Sequence, residues 1–150
     1  MSEITIYKEE YINLFLPNDG VEFLFNIIND GLGIEVNSPL SLENREKTLM
    51  VIKELLKLKL IYVSSWCRSQ RFIKKKTLSV GETMDILDNI WFKEAKYPDY
   101  YDMVKFWHKD WYVQKLEELG FDHFTDWKWF VKNKIGNLEN WIEENRPKDV

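Results

Sequence analysis

LIYVSSWCRSQRFIKKKT, residues 60–77, is the stretch that decides whether the chain is entirely helical or carries a small sheet. Its first part, LIYVSSW, is rich in β-branched and aromatic residues, which fit a pleated, half-buried surface. Cys67-Arg68-Ser69-Gln70 then reads as a turn, and RFIKKKT can return as a second strand, so one β-hairpin is predicted near residues 60–77. On either side the apolar period changes to that of a helix. Upstream, Leu49, Ile52 and Leu56 recur at helical spacing, and Ser41 stands as N-cap ahead of Glu43, which predicts a helix over 42–58. Downstream, Ser79-Val80-Gly81-Glu82 has the capping-box pattern, with Val80, Met84, Leu87 and Trp91 on one face of the helix that follows.

Further out, the opening ITIYKEEYINLFLP has two readings, an edge strand at its β-branched start or a short helix. Pro17 and Asn18-Asp19-Gly20 make a turn. VEFLFNIIN has the length and composition of a buried helix ended by Gly31 and Gly33, and LGIEV after it reads as a short strand. Beyond Pro98, Tyr100, Val104, Trp107 and Trp111 share a helical face; Gly120 is placed as a C-cap glycine, with Phe121 making the accompanying apolar contact. Asp122 is placed to cap a helix carrying Phe124, Trp127, Val131 and Ile135, and Gly136-Asn137 precede a last short helix with Leu138, Trp141 and Ile142. With no repeat, low-complexity tract or Pro/Gly-rich linker, residues 1–150 read as a single-domain, mainly α helical bundle with one short β-hairpin.

The composition is that of a globular chain, 45% hydrophobic and 31% charged, with an excess of rings: seven Trp, seven Tyr and nine Phe. Large rings fill cores or anchor interfaces, and most of these are expected to be core. One cysteine, Cys67, allows no intramolecular disulfide, and MSEITIYKEE lacks the basic region and apolar run of a secretory leader. No stretch approaches the roughly 20 apolar residues of a membrane span. A cytoplasmic protein that does not enter membranes is therefore expected.

Chemistry is hard to place in this sequence. His108, His123 and Cys67 lie fifteen or more residues apart, so neither a metal site nor a cofactor is expected, and both histidines read as partly exposed helix residues. There is no nucleophile elbow, Gly-rich phosphate loop or His-Glu-x-x-His pattern, and no enzymatic activity is expected. The adjacent pairs Glu9/Glu10, Glu117/Glu118 and Glu143/Glu144 diverge by about 100° on a helix and read as solvated faces.

Charge is unevenly spread over a net −4. Residues 64–80 hold five basic side chains and no acidic one, between two acidic blocks. These five, Arg68, Arg71, Lys74, Lys75 and Lys76, interleave with Trp66 and Phe72 and follow a helix and a strand, the position of the wing in a winged helix-turn-helix. A nucleic-acid-binding regulator using the 66–76 hairpin is thus one reading. The other is a solubilising edge hairpin, which suits the acidic remainder of the chain better because most of the surface would repel a polyanion. The C-terminal half offers the contrast, with Asp99, Asp102, Asp110, Glu117 and Glu118 among Tyr100, Tyr101 and several Trp. Trp127 and Trp129 lie about 200° apart on a helix, so some rings must face outward within a rim of carboxylates, as at a site for a basic protein partner.

The acidic, aromatic stretch YPDYYDMVKFWHKDWYVQKLEELGF, the lone cysteine and the lack of an active-site motif together resemble the small bacterial immunity proteins of contact-dependent growth inhibition and polymorphic-toxin systems. The resemblance implies a non-enzymatic toxin inhibitor acting by protein–protein interaction, its partner a basic toxin domain such as a nuclease. The carboxylates and rings of that stretch, not the resemblance, give the partner-binding residues expected: Asp99, Tyr100, Tyr101, Asp102, Asp110, Glu117 and Glu118. Oligomeric state is not legible in the sequence.

Overall fold

The computed structural model describes residues 5–148. In chain order these form a 3-10 helix Glu9–Phe15, a π-helix Asn26–Gly31, α1 (Leu42–Lys57), β1 (Ile61–Ser65) and a second 3-10 helix Cys67–Phe72. Then come α2 (Val80–Ile90), a third 3-10 helix Tyr97–Tyr101, β2 (Lys105–His108), α3 (Asp110–Glu118), α4 (Trp127–Phe130) running into a π segment Val131–Ile135, and α5 (Leu138–Asn145). The mainly α class with one two-stranded antiparallel sheet is what the sequence predicts.

Helix ends fall where polar caps satisfy the orphan amides. Ser41 Oγ accepts from the Asn44 amide at 3.1 Å, and Ser79 and Glu82 bond reciprocally at 3.1 and 2.9 Å as a capping box. Such a cap stabilises a helix by about 0.5–2 kcal/mol. Gly120, at φ +102°, ends α3 as expected, and Phe121 N–H returns to the Leu116 carbonyl at 3.1 Å.

The second strand is not residues 71–77. β1 pairs with β2, some forty residues further on, with Tyr62 opposite Trp107 and Val63 opposite Phe106. The reason lies in side-chain alternation. In RFIKKKT neither alternate set is apolar, since Phe72 shares its side with Lys74 and Lys76, and Ile73 with Arg71 and Lys75. In KFWH, Phe106 and His108 are buried while Trp107 points out. Cys67 adopts φ +52° and turns the chain into the 3-10 helix Cys67–Phe72, where Gln70 Oε1 accepts from the Trp66 amide at 2.8 Å.

Other expectations also change. The single helix read through Tyr100, Val104, Trp107 and Trp111 is instead a 3-10 helix, a strand and α3. LGIEV is not a strand; its Val36 carbonyl accepts from the Tyr97 amide at 2.7 Å. Asp122 closes a turn on the Phe124 amide and the Thr125 hydroxyl, both at 2.9 Å, and Asp126 caps α4. The opening segment is a 3-10 helix from Glu9; Ile4, where the alternative edge strand begins, lies outside the described residues.

One continuous apolar cluster, with Phe15, Leu24, Ile27, Ile52, Leu55 and Phe106 fully buried, joins these elements. Aromatic side chains from the C-terminal half do more than fill it. Trp127 Nε1 donates to the Ile12 carbonyl at 2.9 Å, His108 Nε2 lies 3.1 Å from the Leu14 carbonyl, and the Tyr112 hydroxyl donates to the Phe15 carbonyl. A 3-10 helix leaves its last carbonyls without intrahelical partners, and here ring donors supply those of Leu14 and Phe15. Trp111 Nε1 does the same for the Lys59 carbonyl at 2.6 Å, and the Tyr100 hydroxyl for Ala95 at 2.9 Å.

Residues 18–22 then cover the outer edge of β2. The Asn18 amide donates to His108 Nδ1 at 2.8 Å, the His108 amide to Asn18 Oδ1 at 3.2 Å, and the Phe106 amide to the Glu22 carbonyl at 3.1 Å. With Nδ1 accepting, His108 carries its proton on Nε2 and donates to Leu14. The turn that brings this segment in depends on Gly20, where a Cβ would fall 2.0 Å from the Asn13 carbonyl oxygen.

Candidate protein-binding surface

With Phe106 and His108 inside, Lys105 and Trp107 project from the other face of the sheet. Phe23 forms an isolated antiparallel bridge to Lys105, which places their side chains together, and Lys105 Nζ lies 5.1 Å from the Phe23 ring centroid. On the β1 side Tyr62 pairs with Trp107, and Lys109 Nζ lies 5.6 Å from the Tyr62 ring. From Phe23 the rings continue onto the 3-10 helix Tyr97–Tyr101. Phe23 meets Tyr101 edge-on at 4.9 Å, Tyr101 stacks on Phe25 at 5.3 Å, and Tyr97 closes the group edge-on to Phe25 at 5.3 Å. The result is an aromatic stripe running from the sheet to this helix.

The stripe is partly open to water. Trp107 is 44% and Tyr97 43% exposed, and Phe23, Phe25, Tyr62 and Tyr101 are half-buried. Its ion pairs lie at the margin, with Lys105 to Glu22 at 3.6 Å and Arg68 to Asp102 at 2.8 Å. Desolvation by the neighbouring rings raises the Tyr101 phenol above its ordinary range, and Tyr97 and the Asp30 carboxylate push it the same way. Tyr101 therefore stays neutral around pH 7 and offers a ring and a hydroxyl, not a charge. Contiguous rings in a polar rim are the composition of a protein interface core.

Of the seven residues expected to bind a partner, Tyr101 lies in the stripe and Asp102 at its edge. Tyr100 does not: it is fully buried, edge-on to Trp91 at 5.8 Å, because residues 97–101 turn as a 3-10 helix that sends adjacent rings to opposite sides. Asp99 is half-buried and uses Oδ2 to accept from the Lys96 amide at 3.1 Å, capping its own helix. Asp110, Glu117 and Glu118 are exposed on α3, beyond the far end of β2. The acidic residues thus form two groups separated by the length of a four-residue strand, not one rim.

The basic residues do not form a wing. Arg68 is held by Asp102, Lys75 by Glu82 at 2.7 Å, and the Arg71 guanidinium lies 4.8 Å from the Phe72 ring centroid. Lys75 holds the Glu82 carboxyl down at about 2. Lys74 and Lys76 are exposed on the extended segment that leads to α2. A hairpin arm aimed at phosphates is absent from residues 66–76, since no strand follows Phe72 there.

Sequence reading missed Phe23, Phe25, Tyr97, Tyr62 and Trp107 as a group. The first two fall in an apolar run that reads as wholly internal, and Trp107 was assigned to a helical face. The Lys-Phe-Trp-His alternation was the available signal for β2.

Other reactive groups are committed to structure. His108 is fully buried in β2, not on a helix, and burial pushes its pKa down to about 3 against a smaller opposing effect of the Leu14 carbonyl. Cys67 begins a 3-10 helix rather than standing at a hairpin tip, and burial pushes its thiol up. Among the described residues no three His, Cys, Asp or Glu side chains converge as a metal site would require, and no helix is long and apolar enough to cross a membrane. No protein-family model, curated protein or solved structure matches the chain.

Proposed function

We propose that this chain is a non-enzymatic protein-binding domain of the immunity type, acting in the cytoplasm to bind and neutralise a basic toxin domain. The observation that carries the reading is the aromatic stripe, in which Phe23, Phe25, Tyr97 and Tyr101 touch one another and Tyr62 stands opposite Trp107 across the sheet, left open although the core has ample rings of its own. Binding energy in protein interfaces concentrates in such rings, and carboxylates beside them speed encounter with a cationic partner. Asp102 and Asp30 at the stripe, with Asp110, Glu117 and Glu118 on α3, supply that negative charge within an overall net −4.

The test is to produce the chain together with the protein encoded immediately upstream of it. A stoichiometric complex that protects producing cells from that protein is expected. Free elution of both proteins with no protection overturns the reading. Charge reversal at Asp102 and Asp110 should slow association and reduce its salt dependence.

A further inference from the structure

Several outward rings of this chain already have one of its own cations over them. Lys134 Nζ lies 6.0 Å from the Trp129 ring centroid and the Arg71 guanidinium 4.8 Å from that of Phe72. Within the stripe, Lys105 covers Phe23 and Lys109 covers Tyr62, so the sheet end is served from inside the chain. At the other end, no cation among the described residues lies over Phe25, Tyr97 or Tyr101. The electron-rich faces of these rings attract positive charge, and here that attraction is unused.

The carboxylates beside the stripe divide in the same way. Glu22 is held by Lys105 and Asp102 by Arg68. Asp30 is exposed and has no ion-pair partner among the described residues; Asn26 Nδ2 donates to its Oδ2 at 2.9 Å, which leaves Oδ1 open. In the π-helix Asn26–Gly31 hydrogen bonds span five residues, so Asp30 stands one turn above Phe25. Its carboxylate is near enough to the Tyr101 phenol to help raise that group's pKa.

Uncovered rings beside an unpaired carboxylate call for a cation, and the shape of the cluster says which. Tyr97 meets Phe25 at an interplanar angle of 66° and Tyr101 at 82°, while Phe25 and Tyr101 stack, so the rings form a corner and not a flat sheet. A guanidinium is planar and weakly hydrated, and it can lie on a ring while its N–H groups reach a carboxylate; a lysine ammonium is compact, strongly hydrated and cannot stack. We infer that this corner, formed by Phe25, Tyr97, Tyr101 and Asp30, receives an arginine side chain of the protein partner, its guanidinium lying on the tyrosine rings and paired with the Asp30 carboxylate. The inference rests on the reading of the stripe as a surface for a basic protein, and it makes positive charge at this point a source of affinity as well as of encounter rate.

The experiment titrates the full chain with Nα-acetyl-arginine amide in physiological salt and follows the tyrosine and phenylalanine ring signals and the aspartate carboxyl signals by NMR. Saturable shifts at Phe25, Tyr97, Tyr101 and Asp30 are expected. The citrulline amide, equal in shape but uncharged, should not bind, and the lysine amide should bind at least about threefold more weakly. Asp30→Asn and Tyr97→Ala should each weaken binding about fivefold or more, whereas Tyr97→Phe, which keeps the ring, should bind as the parent does. Backbone amide shifts away from the corner report that each variant is folded. Equal binding of the citrulline amide, parental affinity in a folded Asp30→Asn variant, or equal shifts at Trp129 and Phe72, whose rings already carry a cation, overturns the proposal. The complex with the upstream-encoded protein separates this inference from the reading beneath it. A complex that Asp30→Asn leaves at parental affinity overturns the arginine site and keeps the immunity reading; no complex, with the arginine amide still bound, rejects that reading and leaves the site standing.

Discussion

Two sets of aromatic residues in this chain do opposite work. The inward set, Tyr100, Trp111, Tyr112 and Trp127, joins a large apolar body to an N–H or O–H that ends on a backbone carbonyl, five residues away for Tyr100 and in a distant part of the chain for the other three. Of the outward set, Phe23, Phe25, Tyr62, Tyr97 and Tyr101 meet other rings or lysine ammonium groups, and Trp107 stands opposite Tyr62 and open to water. The difference teaches why so many rings are present. Short 3-10 and π segments leave more backbone carbonyls without helical partners than long α-helices do, and a side chain that is apolar with one donor satisfies them without adding unpaired polarity to the core. Once that need is met, the rings remaining on the surface are the ones on which the proposed binding role rests.

If the comparison is sound, the inward set should dominate stability. Trp127→Ala removes a nearly buried indole together with its bond to the Ile12 carbonyl, so a loss of about 3–5 kcal/mol is expected in urea unfolding, enough to unfold a marginal domain. Tyr112→Phe keeps the ring and deletes only the donor to Phe15; it should cost about 1–3 kcal/mol. A Tyr112→Phe variant as stable as the parent would show that the ring donors are incidental to the fold.

His108 tests the same idea through pH. Its folded pKa lies near 3, below the 6.5 of an exposed histidine, so between those values the unfolded chain binds a proton the folded chain does not. Stability from this residue is therefore present above about pH 6.5 and lost as pH falls toward 3, with a slope of at most about 1.4 kcal/mol per pH unit. Thermal unfolding of parent and His108→Gln across that range should show this extra pH dependence in the parent and its absence in the variant. The smallest effect belongs to the outward set: Trp107→Ala breaks one cross-strand pair with Tyr62, costing about 0.2–1 kcal/mol in the same urea assay.

How far the sequence revealed this arrangement follows from which interactions are local. Ser41 and the Ser79/Glu82 box are caps made within four residues, and helices α1 and α2 begin where those residues say. Asn18-Asp19-Gly20 was legible as a turn for the same reason, with Asn18 at φ +63°. β1 was legible too, but its partner was not, because pairing with residues 105–108 is a choice between distant segments that local composition does not make. At the surface, Tyr101 and Asp102 were legible as a ring and a carboxylate reaching water because they are neighbours in sequence. Tyr100 was misassigned because helical spacing cannot tell which of two adjacent tyrosines turns inward. Phe23 and Phe25 escaped notice because an apolar run looks the same whether it faces the core or forms the rim of a surface.

The most direct measurement is the dissociation rate of the complex with the upstream-encoded protein, compared among the parent chain, Trp107→Ala and Trp129→Ala. Trp129 is 51% exposed, as open as Trp107, but stands on α4 with Lys134 over its ring and touches none of the stripe. The account predicts dissociation at least about tenfold faster for Trp107→Ala, a change of about 1.4 kcal/mol, and no change for Trp129→Ala, with near-parental unfolding midpoints for both. Equal rates for all three proteins, or a loss confined to Trp129→Ala, would contradict it.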